Sequence, residues 1–302
     1  MDHRLLDLVR RPVFRKLLLC LGLLSLSSAL GPAAARRGPT AQAQVDWPRL
    51  DLTLYAESIE LAAPTPGLSA ALYRGGRLQA YAATPPLGPA TTRLTLRPEA
   101  GQEDAVLRPG DRVELRHAGQ RRSLTIPLLA GIVDRRAGEV AGRAPVTGTL
   151  RLTADDRAIP FDLNAQGRFS ARPDAAEPLP SAARLAWDAP GGGVGIMLQL
   201  QAPSLTVGMG SADLSLSTSM GDRVTVTLSD RDGRLLAQAR GERRSLKDAT
   251  RDGNGIHWEQ GQGLDTWPPL MPGAQLAVLS EAAELGRSQA LHAELPRLSL
   301  TI

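Results

Sequence analysis

The chain has 302 residues, 42% of them hydrophobic and only 3% aromatic, with 30 glycines and 23 prolines. That length and apolar content suffice for two or three modest domains with buried cores, and exclude a generally disordered chain. The formal charge of +4 is misleading, because residues 1–43 hold seven of the 35 basic and two of the 31 acidic residues; the remainder is close to neutral, which removes the electrostatic basis for a nucleic-acid partner.

Residues 1–43 read as a signal peptide and leader. Basic "RRPVFRK" (10–16) precedes the apolar run "LLLCLGLLSLSSAL" (17–30), and two A-x-A sites follow, ending at Ala35 and Ala43. This is the three-part layout of a secretory signal. The run is 14 residues long, short of the roughly 20 that a membrane-crossing helix needs, so cleavage after Ala35 or after Ala43 is expected rather than anchoring. Phe14 falls one residue too late for a twin-arginine signal built on Arg10–Arg11. Cys20 is the only cysteine, and Leu19 before it is too large for a lipoprotein site. The expected location is secreted or cell surface, without disulfides and without a membrane contact after the leader is removed.

Beyond the leader one phrase recurs. "PRLDLTL" (48–54) returns as "PLLAGIV" (127–133), "PSLTVGM" (203–209) and "PRLSLTI" (296–302), at spacings of 79, 76 and 93 residues. A second apolar triplet follows the first two of these prolines and the third alike: "IEL" (59–61), "VAG" (140–142) and "LSL" (214–216). "LSAALYRGGRLQAYA" (68–82) matches "RVTVTLSDRDGRLLAQA" (223–239), and "PGDRVEL" (109–115) matches "PGAQLAV" (272–278). Self-similarity at such a period predicts repeated structural units: module 1 over 48–126, module 2 over 127–202 and module 3 over 203–302, with the middle one most divergent.

Period-2 alternation runs through every unit, as in Val224, Val226 and Leu228 against Thr225 and Thr227. It predicts half-buried antiparallel strands. Turn signals interrupt them at "RGG" (74–76), "AQG" (165–167), "PGGG" (190–193), "DRDG" (230–233) and "RDGNG" (251–255). Only "LSEAAELGRSQALH" (279–292) carries a passable helical pattern, and it reads equally as two strands around Gly286. The expected fold is all-β: tandem Ig-like antiparallel sandwiches. Each junction proline suits an edge position, where a missing N–H costs no ladder bond. The closing phrase reads either as the last strand of module 3 or as a first strand free to add to another sheet edge.

The stretch "IPFDLNAQGRFSA" (159–171), after "GTLRLTADD" (148–156), resembles the Ig-like or carboxypeptidase-regulatory-like β-sandwich modules of secreted bacterial surface proteins. The resemblance covers about 48–295. It implies stalks, adhesins or binding appendages and supplies no catalytic residues. The Cys…Trp…Cys spacing of antibody-type domains does not occur.

No Gly-x-Ser-x-Gly, His-Glu-x-x-His or cysteine pair marks a catalytic or zinc site. His117, His257 and His292 remain after the leader. In "RDGNGIHWEQ" (251–260), Ile256 and His257 stand where a calcium loop needs an acidic or amide residue and a glycine, so the segment reads as a turn before a strand. "PGGGVG" (190–195) has no helix pattern after it and reads as a hairpin loop. Trp258 and Trp267 flank "EQGQGLDT" and offer either sandwich core plugs or an aromatic platform for a sugar ring. The chain is thus expected to be a non-catalytic exported protein with no cofactor and no metal, acting in adhesion, scaffolding or spacing on an unidentified protein or glycan. The alternatives are a glycan-binding accessory module using Trp258 and Trp267, and a hydrolase whose site is assembled across modules.

Overall fold

The computed structural model describes residues 47–84, 92–102, 104–172, 179–207, 214–244, 256–259, 267–268 and 270–295. The leader 1–43, the turn 251–255 and the phrase 296–302 lie outside the described residues. Within them the fold is all-β, built of antiparallel sheets with one parallel pairing. No helix among the described residues is long and apolar enough to cross a membrane.

Alternation becomes burial as expected. In Arg223–Ser229 the valines and Leu228 are buried while Thr225 and Thr227 are half-buried. The turn signals lie where chain reversal needs them. Gly75 and Gly76 take φ of 57° and 80° between the strands Ser69–Arg74 and Arg77–Ala83, the left-handed pair that a tight hairpin demands. In "DRDG", the Asp230 carboxylate accepts from the backbone N–H of Asp232 and Arg234, both below 3 Å. Residues 275–294 resolve the ambiguity around Gly286 in favour of two strands, Gln275–Ala282 and Arg287–Glu294, joined by the short 3-10 turn Ala283–Leu285.

The first three recurring phrases each open a hairpin, in residues 48–126, 127–202 and 203–295, which form the first, middle and third segments. Leu50–Thr53 pairs with Ser58–Leu61, Ala130–Asp134 with Glu139–Arg143, and Ser204–Val207 with Leu214–Ser217. In the first segment a five-stranded sheet follows, ordered Arg97–Pro98, Arg77–Ala83, Ser69–Arg74, Arg112–His117, Gln120–Thr125. The third segment repeats that order with Ile256–Trp258, Leu235–Arg243, Arg223–Ser229, Gln275–Ala282 and Arg287–Glu294. The middle segment differs. Its hairpin is extended by Arg168–Ala171 and Asp162–Leu163, and its other layer runs Arg157–Ala158, Thr149–Ala154, Ala182–Asp188, Val194–Gln201.

Strand pairing and core continue from the first segment into the middle one. Leu50–Thr53 lies parallel to Val194–Gln201, with Leu50 opposite Val194 and Thr53 opposite Met197. The first hairpin and the middle segment's layer thereby become one seven-stranded sheet. One core runs beneath it, including Leu50, Leu52, Ile59 and Leu72 from the first segment with Leu152, Phe169, Leu185 and Leu198 from the second. Val194, Ile196, Leu198 and Leu200 are buried along one face of this strand, with Val194 and Ile196 opposite Leu50 and Leu52. The third segment keeps a separate core around Val224, Val226, Ile256 and Val278.

The three segments also close on one another. Arg287 of the third donates to Glu139 of the second at 2.7 Å, and the Gln289 amide donates to the Val133 carbonyl at 2.9 Å. The Ser219 hydroxyl accepts from the Gln201 N–H and donates to the Gln201 carbonyl. Tyr55 of the first segment is buried against Gly221 of the third, beside the Arg108–Glu242 ion pair at 3.4 Å. Gly221 has φ of 83°, and a Cβ there would overlap the Tyr55 hydroxyl and ring. Gly221→Ala is therefore expected to destabilise the protein by about 1–3 kcal/mol, read as a lower urea midpoint. Adding Tyr55→Ala should recover part of the steric share, giving a non-additive double-mutant cycle.

Candidate functional site

A recess of about 400 Å³ opens between the middle and third segments. Its walls include the hairpin turn at Asp155–Asp156, Arg184, Gln199 and Gln201, with Thr218, Met220 and Arg243 from the third segment. Asp155 and Asp156 hold φ of 48° and 62°, the two-residue turn joining Thr149–Ala154 to Arg157–Ala158. Arg243 donates through Nη1 to Gln201 Oε1 at 2.9 Å and to the Thr218 carbonyl, while its Nε is buried without a partner. Burial pulls the Arg243 guanidinium below its usual pKa, against the attraction of Asp222.

Behind Arg243 lies a ring of three buried oxygens. Thr218 Oγ1 and Ser280 Oγ each lie 2.7 Å from Asp222 Oδ2, and 2.6 Å from each other. Both hydroxyls donate to the Asp222 carboxylate. Burial pushes the Asp222 pKa up, against hydrogen bonds from Thr218, Ser280 and the Ser219 N–H that stabilise the charged form. Asp222 is 3% exposed, Ser280 1% and Thr218 0%. No substrate reaches hydroxyls covered to that degree, so the ring braces the interior of the third segment rather than presenting a nucleophile.

A second buried carboxylate braces the first segment. Asp111 accepts from Arg74 Nε and Nη2, both at 2.9 Å, and from the Arg108 N–H at 2.9 Å. Asp111 and Asp222 both belong to the tetrapeptide "GDRV", at 110–113 and 221–224. Its recurrence was the signal in the sequence for two buried carboxylates. At the outer face of the junction Glu139 has its pKa lowered, first by Arg287 and further by Ser170 and Arg172, against desolvation.

The three histidines after the leader occupy separate strands. His117 ends Arg112–His117 and meets Trp47 edge-on with ring centroids 6.1 Å apart. His257 and His292 belong to Ile256–Trp258 and Arg287–Glu294, which lie at opposite ends of the five-stranded order in the third segment. Among the described residues no cluster of three or more His, Cys, Asp or Glu is spaced to hold a metal ion.

Trp258 and Trp267 are both half-buried and pack against the core of the third segment. Trp258 stands opposite Gly241 and also borders an open cleft of about 1360 Å³ with Thr225, Thr227, Gln238, Arg240 and Glu259. Residues 260–266 between the two tryptophans lie outside the described residues.

No protein-family model matches the chain, and no curated protein matches it. Similar solved structures include a biofilm-associated protein BSP domain, at TM-score 0.23 and 11% identity, spanning 85% of this chain and 67% of that one. Sidekick-1 immunoglobulin domains 1–5 give 0.15 and 13%, over 82% of this chain and 57% of that one. A structure of domains from titin gives 0.17 and 10%, over 83% and 98%. At these TM-scores the likeness implies no shared function or partner.

Asp222 and Glu139 have pKa values displaced in opposite directions. Asp222 has a raised folded pKa, so the penalty on its charged form is present at neutral pH and is relieved as pH falls through the folded pKa. Glu139 has a lowered folded pKa, so its stabilisation is present above the unfolded carboxylate pKa and is lost as pH falls through the folded one. Urea midpoints taken from pH 7 downward should therefore show wild type gaining on Asp222→Asn and losing its advantage over Glu139→Gln.

Proposed function

We propose that the chain is a non-catalytic, exported adhesion or scaffold body, acting through a protein or glycan ligand outside the cell. The carrying observation is the parallel insertion of Leu50–Thr53 beside Val194–Gln201, which joins two sandwiches into one sheet and one core. Such a body holds its faces in fixed relation, as a multi-site binding surface requires. A spacer needs modules that touch only at successive ends. The Tyr55–Gly221 and Arg108–Glu242 contacts between first and third segments favour the scaffold reading over that one. The buried location of the Thr218–Asp222–Ser280 ring supports the non-catalytic part of the proposal.

A second reading, glycan binding, rests on Trp258, which borders a cleft lined by hydroxyl, amide and charged side chains. Aromatic and hydrogen-bonding groups in one cleft are what a saccharide requires. Trp267 joins it in this reading as a second contact.

Immobilised protein is expected to capture a saturable ligand from envelope or culture-medium fractions, identified by mass spectrometry and glycan analysis. Turnover of an ester, peptide or glycoside substrate that one substitution abolishes would overturn the non-catalytic proposal. A polysaccharide that shifts tryptophan fluorescence, with the shift lost in Trp258→Ala, would select the second reading. Unchanged fluorescence across a polysaccharide panel would remove it.

A further inference from the structure

The seat of the first recurring phrase is defined atom by atom. Leu50 and Leu52 are buried in the shared core, and Leu54 beside them is buried too. The Leu50 N–H donates to the Gly193 carbonyl at 3.2 Å and the Leu54 N–H to the Met197 carbonyl at 2.8 Å. On the other side the Arg49 carbonyl accepts from the Ala62 N–H at 3.0 Å. Arg49 Nη2 reaches Asp188 at 2.5 Å, across the space that Gly195 leaves by having no Cβ.

"PRLSLTI" (296–302) carries the arginine, the two spaced leucines and the threonine of this seat. Arg297 matches Arg49, Leu298 and Leu300 match Leu50 and Leu52, Thr301 matches Thr53 and Ile302 replaces Leu54. The interior exchange is Ser299 for Asp51, which removes the partner that Asp51 gives Arg49 Nε at 3.1 Å and leaves Asp188 untouched. The corresponding phrases at 127 and 203 lack both the arginine and the Leu-x-Leu spacing of this seat.

We propose that residues 296–302 of one copy seat between Val194–Gln201 and Ser58–Leu61 of a second copy, displacing that copy's own 48–54. Exchange of a nearly identical element between copies has a low thermodynamic cost, because the contacts broken are remade. The 296–302 phrase of one copy entering the 48–54 seat of the next is a heterologous contact, and it propagates from copy to copy. The copy's own strand competes from a high effective concentration, so exchange grows with local density, as on a crowded surface. This deepens the adhesion and scaffold proposal by adding self-association, and it stands or falls separately from any foreign ligand.

The register supplies the test. Asp51 stands opposite Glu60, so Ser299 of a donor should stand opposite Glu60 of an acceptor. Two full-length variants, both carrying Cys20→Ser, would be mixed under mild oxidation, one with Ser299→Cys and the other with Glu60→Cys. The expected product is a disulfide-linked heterodimer that increases with protein concentration. Donor Leu298→Asp with Leu300→Asp should abolish it, and Arg297→Glu, a surface charge change that leaves both leucines, should weaken it about ten-fold. Moving the donor cysteine to Thr301 should give a much fainter band. No heterodimer with Ser299→Cys, or a heterodimer undiminished by Arg297→Glu and by the leucine changes, would overturn the proposal.

Discussion

The arrangement depends on a four-residue parallel pairing, Leu50–Thr53 against Val194–Gln201. Each fully buried leucine contributes about 1.5–3 kcal/mol relative to exposure, so Leu50 and Leu52 together are a large fraction of a typical domain's net stability. The pairing also covers the edge that Val194–Gln201 would otherwise present, and an open edge invites association with other chains. Its partners are about 140 residues apart, a separation that delays folding because loop closure precedes the reward of contact. The first hairpin acquires its neighbour only after the whole middle segment has been made.

Charged and hydroxyl groups set the third segment against the other two. Glu139 with Arg287, Tyr55 against Gly221 and Ser219 on the Gln201 backbone each join the third segment to an earlier one, while Asp222 with Thr218 and Ser280 braces the third segment itself. Tyr55 has its pKa pushed up to about 12, foremost by burial, and it keeps its proton where an exposed phenol would lose it. Groups that are costly to bury unless satisfied penalise alternative packings more than they stabilise the right one. A fixed relation between sheet faces is the property an adhesion or scaffold role draws on, and strand exchange would extend that relation from one copy to the next.

Much of this was legible from local pattern. Alternating residues marked strands, glycine-rich turns marked reversals, and the recurring proline phrase marked each first hairpin, because all three are decided by chemistry within a few residues. The parallel pairing was not legible, since nothing in "PRLDLTL" names a partner near residue 194. The half-buried tryptophans show the same limit. Sequence placed Trp258 and Trp267 near one turn, while only packing shows both leaning on the core of the third segment. Asp111 and Asp222 fall between these cases: "GDRV" stands twice in plain view, yet which arginine or hydroxyl meets each carboxylate is set by sheet order.

The central claim is that Leu50–Thr53 makes the first and middle segments one cooperative unit. Native-state hydrogen exchange on Leu52→Ala against wild type tests it most directly, since that truncation removes about 2–5 kcal/mol from a buried site. Amides of Leu152 and Leu185 in the middle segment should lose as much protection as that of Leu72 in the first. Protection lost around Leu72 alone, with Leu152 and Leu185 unchanged, would contradict it.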